Sequence, residues 1–440
     1  MFVQFCANDP DEFLTAARYV QPFCDAVDLN LGCPQGIARK GHYGAFLQED
    51  WDLVYKLVNK LHTNLDVPVT AKMRILETKE KTLEYAKIIL SAGASIITVH
   101  GRQREQKGHK TGLADWTVIR YLRERLPPET VIFANGNILR HEDIQSCLVA
   151  TGADGVMSAE GNLYDPTIFA EPPPAGEQGR QYWRGRSGKG GYRMDAVFRR
   201  YMDIIHRYVL EKEPPDRKPL FLPSDPIPEP CTTNSEEGDS GVDCEPSAKR
   251  QKRSNKQTKE TSPNLLAMQP HLFHLLRPLV SKYTDVRDAL ARCRAGDINA
   301  FENVLSMVEA AVRDGILEYE RDPSKYEDPP DPKSISEKDK AEEATKDESS
   351  LETVKACKRP WWVCQPYVRP LPKEALEKGS LTLSKKEKKQ LEKSTASQAT
   401  AKTPKVMSEV QSELRSEREE LDERDGVPRE EMPTESQVCG

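Results

Sequence analysis

The strongest constraint on this chain is a regular alternation of two sequence patterns over residues 1–170. Short apolar runs rich in β-branched residues alternate with segments in which apolar residues recur every three or four positions. The first pattern predicts β-strands and the second predicts amphipathic helices. Together they predict an α/β fold around a parallel sheet. The apolar runs are FVQFC (2–6), AVDLN (26–30), VPVTAKM (67–73), SIITVH (95–100), TVIFAN (130–135) and GVMSA (155–159).

Polar side chains stand at the ends of four predicted strands: Asn30, Lys72 with Arg74, His100 and Asn135. Because the carboxyl ends of parallel strands meet at one edge of a sheet, we expect these side chains to lie near one another. Ligand sites of α/β folds form at that edge, so the pattern predicts a binding site there. Two alternatives stay open: a solvated strand end for the cations and a satisfied core position for the histidine.

A single cysteine, Cys33, follows the second predicted strand between Gly32 and Pro34. The glycine lets the backbone approach a ligand closely, and the proline stiffens the turn. A thiol presented rigidly at a strand end can act as a nucleophile or as a proton donor. The alternative is a structural cysteine in the core, which is the common role of a single cysteine.

Two later segments favour an anion site. Asn135-Gly136-Asn137 follows a strand and can offer backbone N–H groups to an anion, although an Asn-Gly pair is also common in ordinary turns. GADGVMSAEG (152–161) adds a short strand and a turn of small residues one unit later. Phosphate sites of (β/α)₈ barrels form after the last two strands, so both segments predict a phosphate site.

Five segments in order, LNLGCPQ, VTAKMR, TVHGR, ANGNI and GADGVMSAEG, resemble the motifs of the tRNA-dihydrouridine synthases. The resemblance covers most of residues 1–170. It implies a (β/α)₈ TIM-type barrel that binds FMN, takes electrons from NADPH or NADH, and reduces D-loop uridines of tRNA. MSAEGNL and WWVCQPYVRP (361–370) resemble the eukaryotic branch that acts on positions 16 and 17.

The resemblance also implies roles for individual residues. Cys33 would donate a proton to C5 of the uracil. The flavin ring would be held by Gln4, Lys72 and His100, and its phosphate by Asn135, Gly136, Asn137, Ala159 and Glu160. The uracil or the RNA would lie near Asn30, Arg74 and Arg102. Many family members have Gly-Arg at Ala159-Glu160, so backbone N–H groups are expected to bind the phosphate here.

The resemblance starts at about the third strand of the family barrel. We therefore count six βα units rather than eight, and expect an N-terminally truncated chain that is aggregation-prone and binds FMN poorly. Two alternatives to a tRNA-dihydrouridine synthase stay open. One is a catalytically inactive tRNA-binding protein. The other is an FMN barrel of the dihydropyrimidine or dihydroorotate oxidoreductase type.

The remaining chain is more polar, in keeping with a composition of 37% hydrophobic and 30% charged residues. We expect packed regions to alternate with unpacked ones.

A group of basic residues in the later helical segment predicts a phosphate-contacting face, and an ordinary solvated face is the alternative. The residues are Arg277, Lys282, Arg287, Arg292 and Arg294, with Arg287 and Arg294 as the test residues. The predicted units are a catalytic domain (1–170), a barrel-associated helix (192–212), a disordered insertion (213–263), a helical tRNA-binding domain (264–320), a charged linker (321–358), an aromatic segment (359–370) and a disordered charged tail (371–440).

Composition narrows the partners and the compartment. The net charge of −6 excludes a general polycation, and no apolar run reaches the ~20 residues of a membrane span. Ten cysteines without a CxxC pair predict a reducing compartment and no metal site. We expect a cytoplasmic monomer that binds tRNA and no membrane, with the nucleus as a second location because of the basic run Lys249–Arg253.

Overall fold

The computed structural model describes residues 1–186, 188–226, 262–326 and 359–379. No helix within these ranges is long and apolar enough to span a lipid bilayer.

Several predicted segments consist mostly of residues outside these described ranges. Most of the insertion (213–263), the linker (321–358) and the tail (371–440) lies outside the described residues, as does the basic run Lys249–Arg253.

Six parallel strands form one sheet, in which each strand pairs with its neighbour in sequence. This order is that of a (β/α) barrel, and it confirms the predicted α/β, TIM-barrel type of fold. Every predicted apolar run overlaps one strand. The strands are β1 (Phe2–Phe5), β2 (Ala26–Leu31), β3 (Val69–Arg74), β4 (Ile96–His100), β5 (Val131–Asn135) and β6 (Gly155–Met157). Strands β2 and β3 extend one residue beyond their runs.

Helices connect the strands, and side-chain caps define where several of them begin. Asp9 accepts hydrogen bonds from the backbone N–H groups of Asp11 and Glu12 at 2.9 Å, directly before Pro10. This satisfies donors that the first helical turn leaves unpaired. The helices are α1 (Pro10–Val20), α2 (Gly36–Gly41), α3 (Trp51–His62), α4 (Lys79–Ser91), α5 (Trp116–Arg125), α6 (His141–Thr151) and α7 (Glu160–Tyr164).

The two faces of the sheet differ in polarity because successive strand residues point to opposite sides. Val27, Leu29 and Leu31 of β2 are fully buried in the apolar core beneath the helices. Asp28 and Asn30 alternate with them and lie on the other face. That face therefore forms a polar floor.

Strand register places the predicted polar residues side by side on this floor. Lys72 is paired with Asn30, and Arg74 is paired with His100. His100 is in turn paired with Asn135. The expectation that these strand-end residues share one edge of the sheet is confirmed.

The C-terminal part is a helical unit preceded by a short antiparallel hairpin. Its core includes the fully buried Phe198 and Trp362, and Phe301 at 1% exposure. The elements are β7 (Tyr182–Arg184), β8 (Gly190–Tyr192), α8 (Met194–Tyr208), α9 (Met268–Leu275), α10 (Arg277–Lys282), α11 (Thr284–Arg292) and α12 (Ile298–Arg321).

The aromatic segment (359–370) is part of this core. Trp362, Val363 and Cys364 are fully buried, and the backbone N–H of Cys364 donates to Tyr192 O at 2.8 Å. The chain then forms a further helix, α13 (Pro372–Glu377), which contacts the Gly108–Lys110 turn. The prediction that the chain is unpacked from residue 371 onward is wrong for α13, because contacts with the barrel hold this otherwise polar stretch and bury Ala375.

Candidate active site

A cavity of about 890 Å³ opens at the carboxyl end of the sheet. Segments that follow β2, β4, β5 and β6 form its wall, and His274 and Arg369 from the C-terminal part complete it. Eight residues singled out from the sequence line this cavity: Arg74, His100, Arg102, Asn135, Gly136, Asn137, Ala159 and Glu160.

The turn after β5 has a backbone shape that few residues can adopt. Gly136 has φ +107° and Asn137 has φ +63°. A Cβ on Gly136 would lie 2.7 Å from the Cβ of Ala114, so only glycine fits there. Asn137 Oδ1 accepts hydrogen bonds from the N–H of Ala114 at 3.0 Å and from Arg102 at 2.7 Å. These contacts fix the turn in the cavity wall.

His100 and Arg102 form a second fixed part of the wall. Burial lowers the pKa of His100 well below its usual range, and the nearby cations Lys72, Arg74 and Arg102 act in the same direction. The imidazole is therefore neutral. Its Nε2 lies 3.1 Å from a guanidinium nitrogen of Arg102, so Nε2 accepts and Nδ1 holds the proton.

Arg102 donates its hydrogen bonds to protein groups of the cavity wall. Besides His100 and Asn137, it donates to Gly112 O at 2.9 and 3.1 Å. Burial lowers its pKa to about 10, which still leaves it charged at neutral pH. Arg102 was expected near the uracil or the RNA; the structure places it in the cavity wall with its donors turned to protein acceptors.

Arg74 has a similar positioning role. This buried side chain donates to Gly32 O at 2.8 Å and to the carbonyl oxygens of Gln103 and Gln106 at 2.9 and 3.2 Å. Burial lowers its pKa to about 10. Arg74 thereby ties the turn that contains Cys33 to the loop after β4.

Cys33 is held rigidly, as its Gly-Cys-Pro setting predicts. Its backbone N–H donates to Asn30 Oδ1 at 2.9 Å, and its carbonyl oxygen accepts from Ala45 N at 3.0 Å. Gly44, at φ +64°, passes so close that a Cβ there would lie 2.9 Å from Cys33 O. The residue is only 6% exposed, and the cavity is lined by Pro34 rather than by Cys33 itself.

The polar floor next to Cys33 forms a network over β1, β2 and β3. Gln4 Nε2 donates to Asp28 Oδ2 at 2.6 Å, and Thr70 Oγ1 donates to Asp28 Oδ1 at 2.6 Å. Asn30 Nδ2 donates to Gln4 Oε1 at 2.9 Å. Gln4, Asn30 and Lys72 thus lie on one face, outside the lining of the 890 Å³ cavity.

Asp28 is the centre of this network, and sequence reasoning did not select it. Its burial raises the pKa of the carboxyl against the effect of its hydrogen bonds with Thr70 and Gln4. The available signal was its position two residues before Asn30, which puts both side chains on one face of β2.

Lys72 lies beside this network. Burial and the neighbouring Arg74 lower the pKa of its ammonium to about 8, while the negative charge of Asp28 opposes that shift.

The C-terminal part contributes Tyr367 and Arg369, which sequence reasoning also missed. Arg369 Nε donates to Glu160 Oε1 at 2.7 Å, and Arg277 lies 3.8 Å from the ring centre of Tyr367. The signal was the aromatic character of WWVCQPYVRP. Arg287 and Arg294, in contrast, do not line the cavity; Arg287 pairs with Asp288 at 3.1 Å on an exposed helix face.

The charges of the cavity favour an anionic ligand. Among its lining residues, four cations face a single carboxylate, that of Glu160. The cations are Arg74, Arg102, Lys107 and Arg369. A cavity with this balance, a neutral imidazole and a rigid glycine turn can bind a phosphate at one end and a polar planar group at the other.

The similarity to known proteins extends over both parts of the chain. The Dihydrouridine synthase (Dus) family profile matches residues 1–187. The tRNA-dihydrouridine(16/17) synthase (NAD(P)(+)) of Schizosaccharomyces pombe is 41% identical over 372 residues, which cover 84% of this chain and 74% of that protein. That of Saccharomyces cerevisiae is 42% identical over 375 residues, covering 84% and 70%.

A mammalian protein is similar over a shorter stretch. The tRNA-dihydrouridine(16/17) synthase-like protein of Mus musculus is 50% identical over 175 residues, which cover 40% of this chain and 36% of that protein. The two yeast relatives align over most of their own length with a chain that has the predicted fold and cavity. This chain therefore belongs to the dihydrouridine synthase family.

Proposed function

We propose that this chain is an FMN-dependent tRNA-dihydrouridine synthase that reduces uridines 16 and 17 of the D-loop, with NADPH or NADH as the electron source. The observation that supports this most directly is the convergence of a cationic cavity, a neutral His100 and a rigid Cys33 at the carboxyl end of one sheet. The names of the yeast relatives support the substrate positions and the nicotinamide.

The residues present fit an FMN. Among the described residues, no acceptor is within hydrogen-bonding distance of the partly buried ammonium of Lys72. A partly buried cation without an acceptor points to a ligand that supplies one. At the other end, the Gly136–Asn137 turn and the small residues Ser158, Ala159 and Gly161 leave room for a phosphate.

In this proposal the chain binds and orients, and FMN when bound supplies the hydride that reduces C6 of uracil. Gln4, Lys72 and His100 hold the flavin ring, and the Lys72 ammonium can balance negative charge on that ring. The neutral His100 donates from Nδ1. Asn135, Gly136, Asn137, Ala159 and Glu160 surround the phosphate.

Cys33 is the proposed proton donor to C5 of the uracil. Its backbone contacts with Asn30 and Ala45 fix the thiol at one place, and Arg74 fixes the preceding carbonyl. General acids act best when held in this way at the reacting atom. The target base must leave its stack to reach such an enclosed thiol, as in other enzymes that act on bases.

The helical unit is the proposed tRNA-binding part. Arg287 and Arg294 lie on its surface away from the cavity, where phosphates of the same tRNA can reach them while a D-loop base is in the site.

The test is to purify the chain, add excess FMN because weak binding is expected, record the flavin spectrum, and incubate the protein with unmodified tRNA and NADPH or NADH. We expect a bound flavin and dihydrouridine mapped to positions 16 and 17. A flavin-free protein that binds tRNA would show the inactive alternative. A flavoprotein that reduces free uracil or oxidises dihydroorotate, but leaves tRNA unchanged, would show the other barrel type.

A further inference from the structure

Arg369 and Glu160 are 209 residues apart in sequence, yet they form a charged hydrogen bond of 2.7 Å at the wall of the cavity. Their side chains are 46% and 33% exposed, so a ligand can reach both. Both residues line the cavity, beside the turn proposed to receive a phosphate.

The position of Arg369 is set by a buried anchor earlier in the same segment. Trp362, Val363 and Cys364 are fully buried in the helical core. Met194 N donates to Trp362 O at 2.9 Å, and Cys364 N donates to Tyr192 O at 2.8 Å. Only four residues separate Cys364 from Arg369, so the anchor restricts where the guanidinium can move.

A second contact holds the guanidinium at the cavity wall. Arg277 lies 3.8 Å and Arg369 lies 5.9 Å from the ring centre of Tyr367. Both distances are within the range of cation–π attraction. Tyr367 also packs on Tyr164 of α7, with ring centres 5.3 Å apart. Two cations are thus held beside the end of the barrel from which Glu160 projects.

The charge of Glu160 explains why this cation is needed. A phosphate monoester carries about −1.5 to −2 charges at neutral pH, so a carboxylate beside it is unfavourable. Arg369 brings a compensating cation from the C-terminal part to the place where Glu160 projects.

We propose that Arg369 binds the phosphate of the flavin, and that Glu160 holds Arg369 in place until the phosphate takes over its guanidinium. The inference rests on the proposed function, since it assumes that FMN is the ligand. It makes the aromatic segment part of the cofactor site rather than only part of the helical core.

The test compares FMN with riboflavin, which has the same ring and no phosphate. Dissociation constants are measured by flavin fluorescence quenching on flavin-free protein of the whole chain. Arg369→Ala should weaken FMN binding about tenfold, the scale of one hydrogen bond to a charged group. Its riboflavin affinity should stay that of the parent chain, and Arg369→Lys should recover part of the FMN affinity.

Glu160→Gln separates this role from a structural ion pair. If the pair only fastened the segment, both Arg369→Ala and Glu160→Gln would weaken FMN binding. Under the proposal they act in opposite directions, because Gln removes the repulsion and releases Arg369, and FMN binds severalfold more tightly. Arg313→Ala, which removes an exposed arginine paired with Asp314, is the matched control and should change neither affinity.

The outcomes separate the inference from the function it rests on. Unchanged FMN binding by Arg369→Ala, or equal losses for FMN and riboflavin, would overturn the role of Arg369 alone. If the parent chain binds neither flavin, the proposed function fails and the role of Arg369 fails with it.

Discussion

Arg74 Nε donates a hydrogen bond of 2.8 Å to the carbonyl oxygen of Gly32, the residue directly before Cys33. Its other end donates to the carbonyl oxygens of Gln103 and Gln106. The position of the proposed proton donor therefore depends on a side chain from the neighbouring strand. A positive charge alone cannot replace Arg74, because donating to three carbonyl oxygens in different directions requires the planar, multi-donor guanidinium of arginine.

Arg74→Lys tests this dependence. The variant keeps the charge but leaves one or more buried carbonyl oxygens without a donor, at a cost of about 1–3 kcal/mol in the free energy of unfolding. We expect a lower rate of dihydrouridine formation at unchanged flavin content, measured together with urea unfolding. Arg120→Lys, at an exposed pair with Glu124, should alter neither. A fully active Arg74→Lys would show that the turn holds itself.

Cys33→Ala should retain flavin and lose roughly 10²- to 10⁴-fold in dihydrouridine formation, the usual contribution of a general acid. The measurement is the rate per flavin-loaded protein on unmodified tRNA. Cys147→Ala is the control, because Cys147 is fully buried in the apolar core of the barrel and outside the site. Full activity of the Cys33 variant would remove the thiol from the mechanism.

Lys72 gives a pH dependence with a defined sign. Its folded-state pKa is about 8 against an ordinary 10.5, so between these values the unfolded chain binds more protons than the folded one. Stability of the flavin-free protein should therefore rise with pH across this window. In Lys72→Met that contribution disappears. The difference in unfolding free energy between the parent and the variant should therefore change with pH above about pH 8.

The same variant tests the flavin contact. Lys72→Met should also retain FMN less well or accept electrons from NADPH more slowly. If both properties are unchanged and only tRNA affinity falls, Lys72 belongs to the RNA surface.

The sequence predicted the parts of the site that depend on local order. Arg74, His100 and Asn135 each end a parallel strand, and neighbouring parallel strands align their carboxyl ends. These three residues could therefore be predicted to lie at one edge of the sheet. The Asn-Gly-Asn turn was likewise readable, because glycine and asparagine are the residues that tolerate a positive φ.

Contacts between distant segments could not be predicted in this way. Nothing near Glu160 indicates Arg369, which is 209 residues away. Cys33 is enclosed because Gly44, eleven residues later in the chain, packs directly against it. Arg102 is followed by a loop whose return brings Gly112 O to its guanidinium, and no local pattern encodes that return.

Gly136→Ala should damage the proposed phosphate end. The backbone at φ +107° is strained for alanine, and the new Cβ would lie 2.7 Å from Ala114. Together these should cost roughly 1–3 kcal/mol of unfolding free energy and weaken FMN binding. Gly176→Ala is the control: it has a similar φ of +91° but no heavy atom within 4 Å. Equal losses in both variants would show that only backbone strain matters.

Replacing Arg287 and Arg294 together with alanine tests whether the helical unit binds tRNA phosphates. Each lost contact should reduce the slope of log affinity against log salt by about 0.7–0.9, because fewer counterions are released from the RNA. Flavin content should not change, since neither residue lines the cavity. Arg313→Ala is a close match, because Arg313 pairs with Asp314 at 3.1 Å as Arg287 pairs with Asp288 at 3.1 Å. A salt slope equal to that of the parent chain would place the tRNA on another surface.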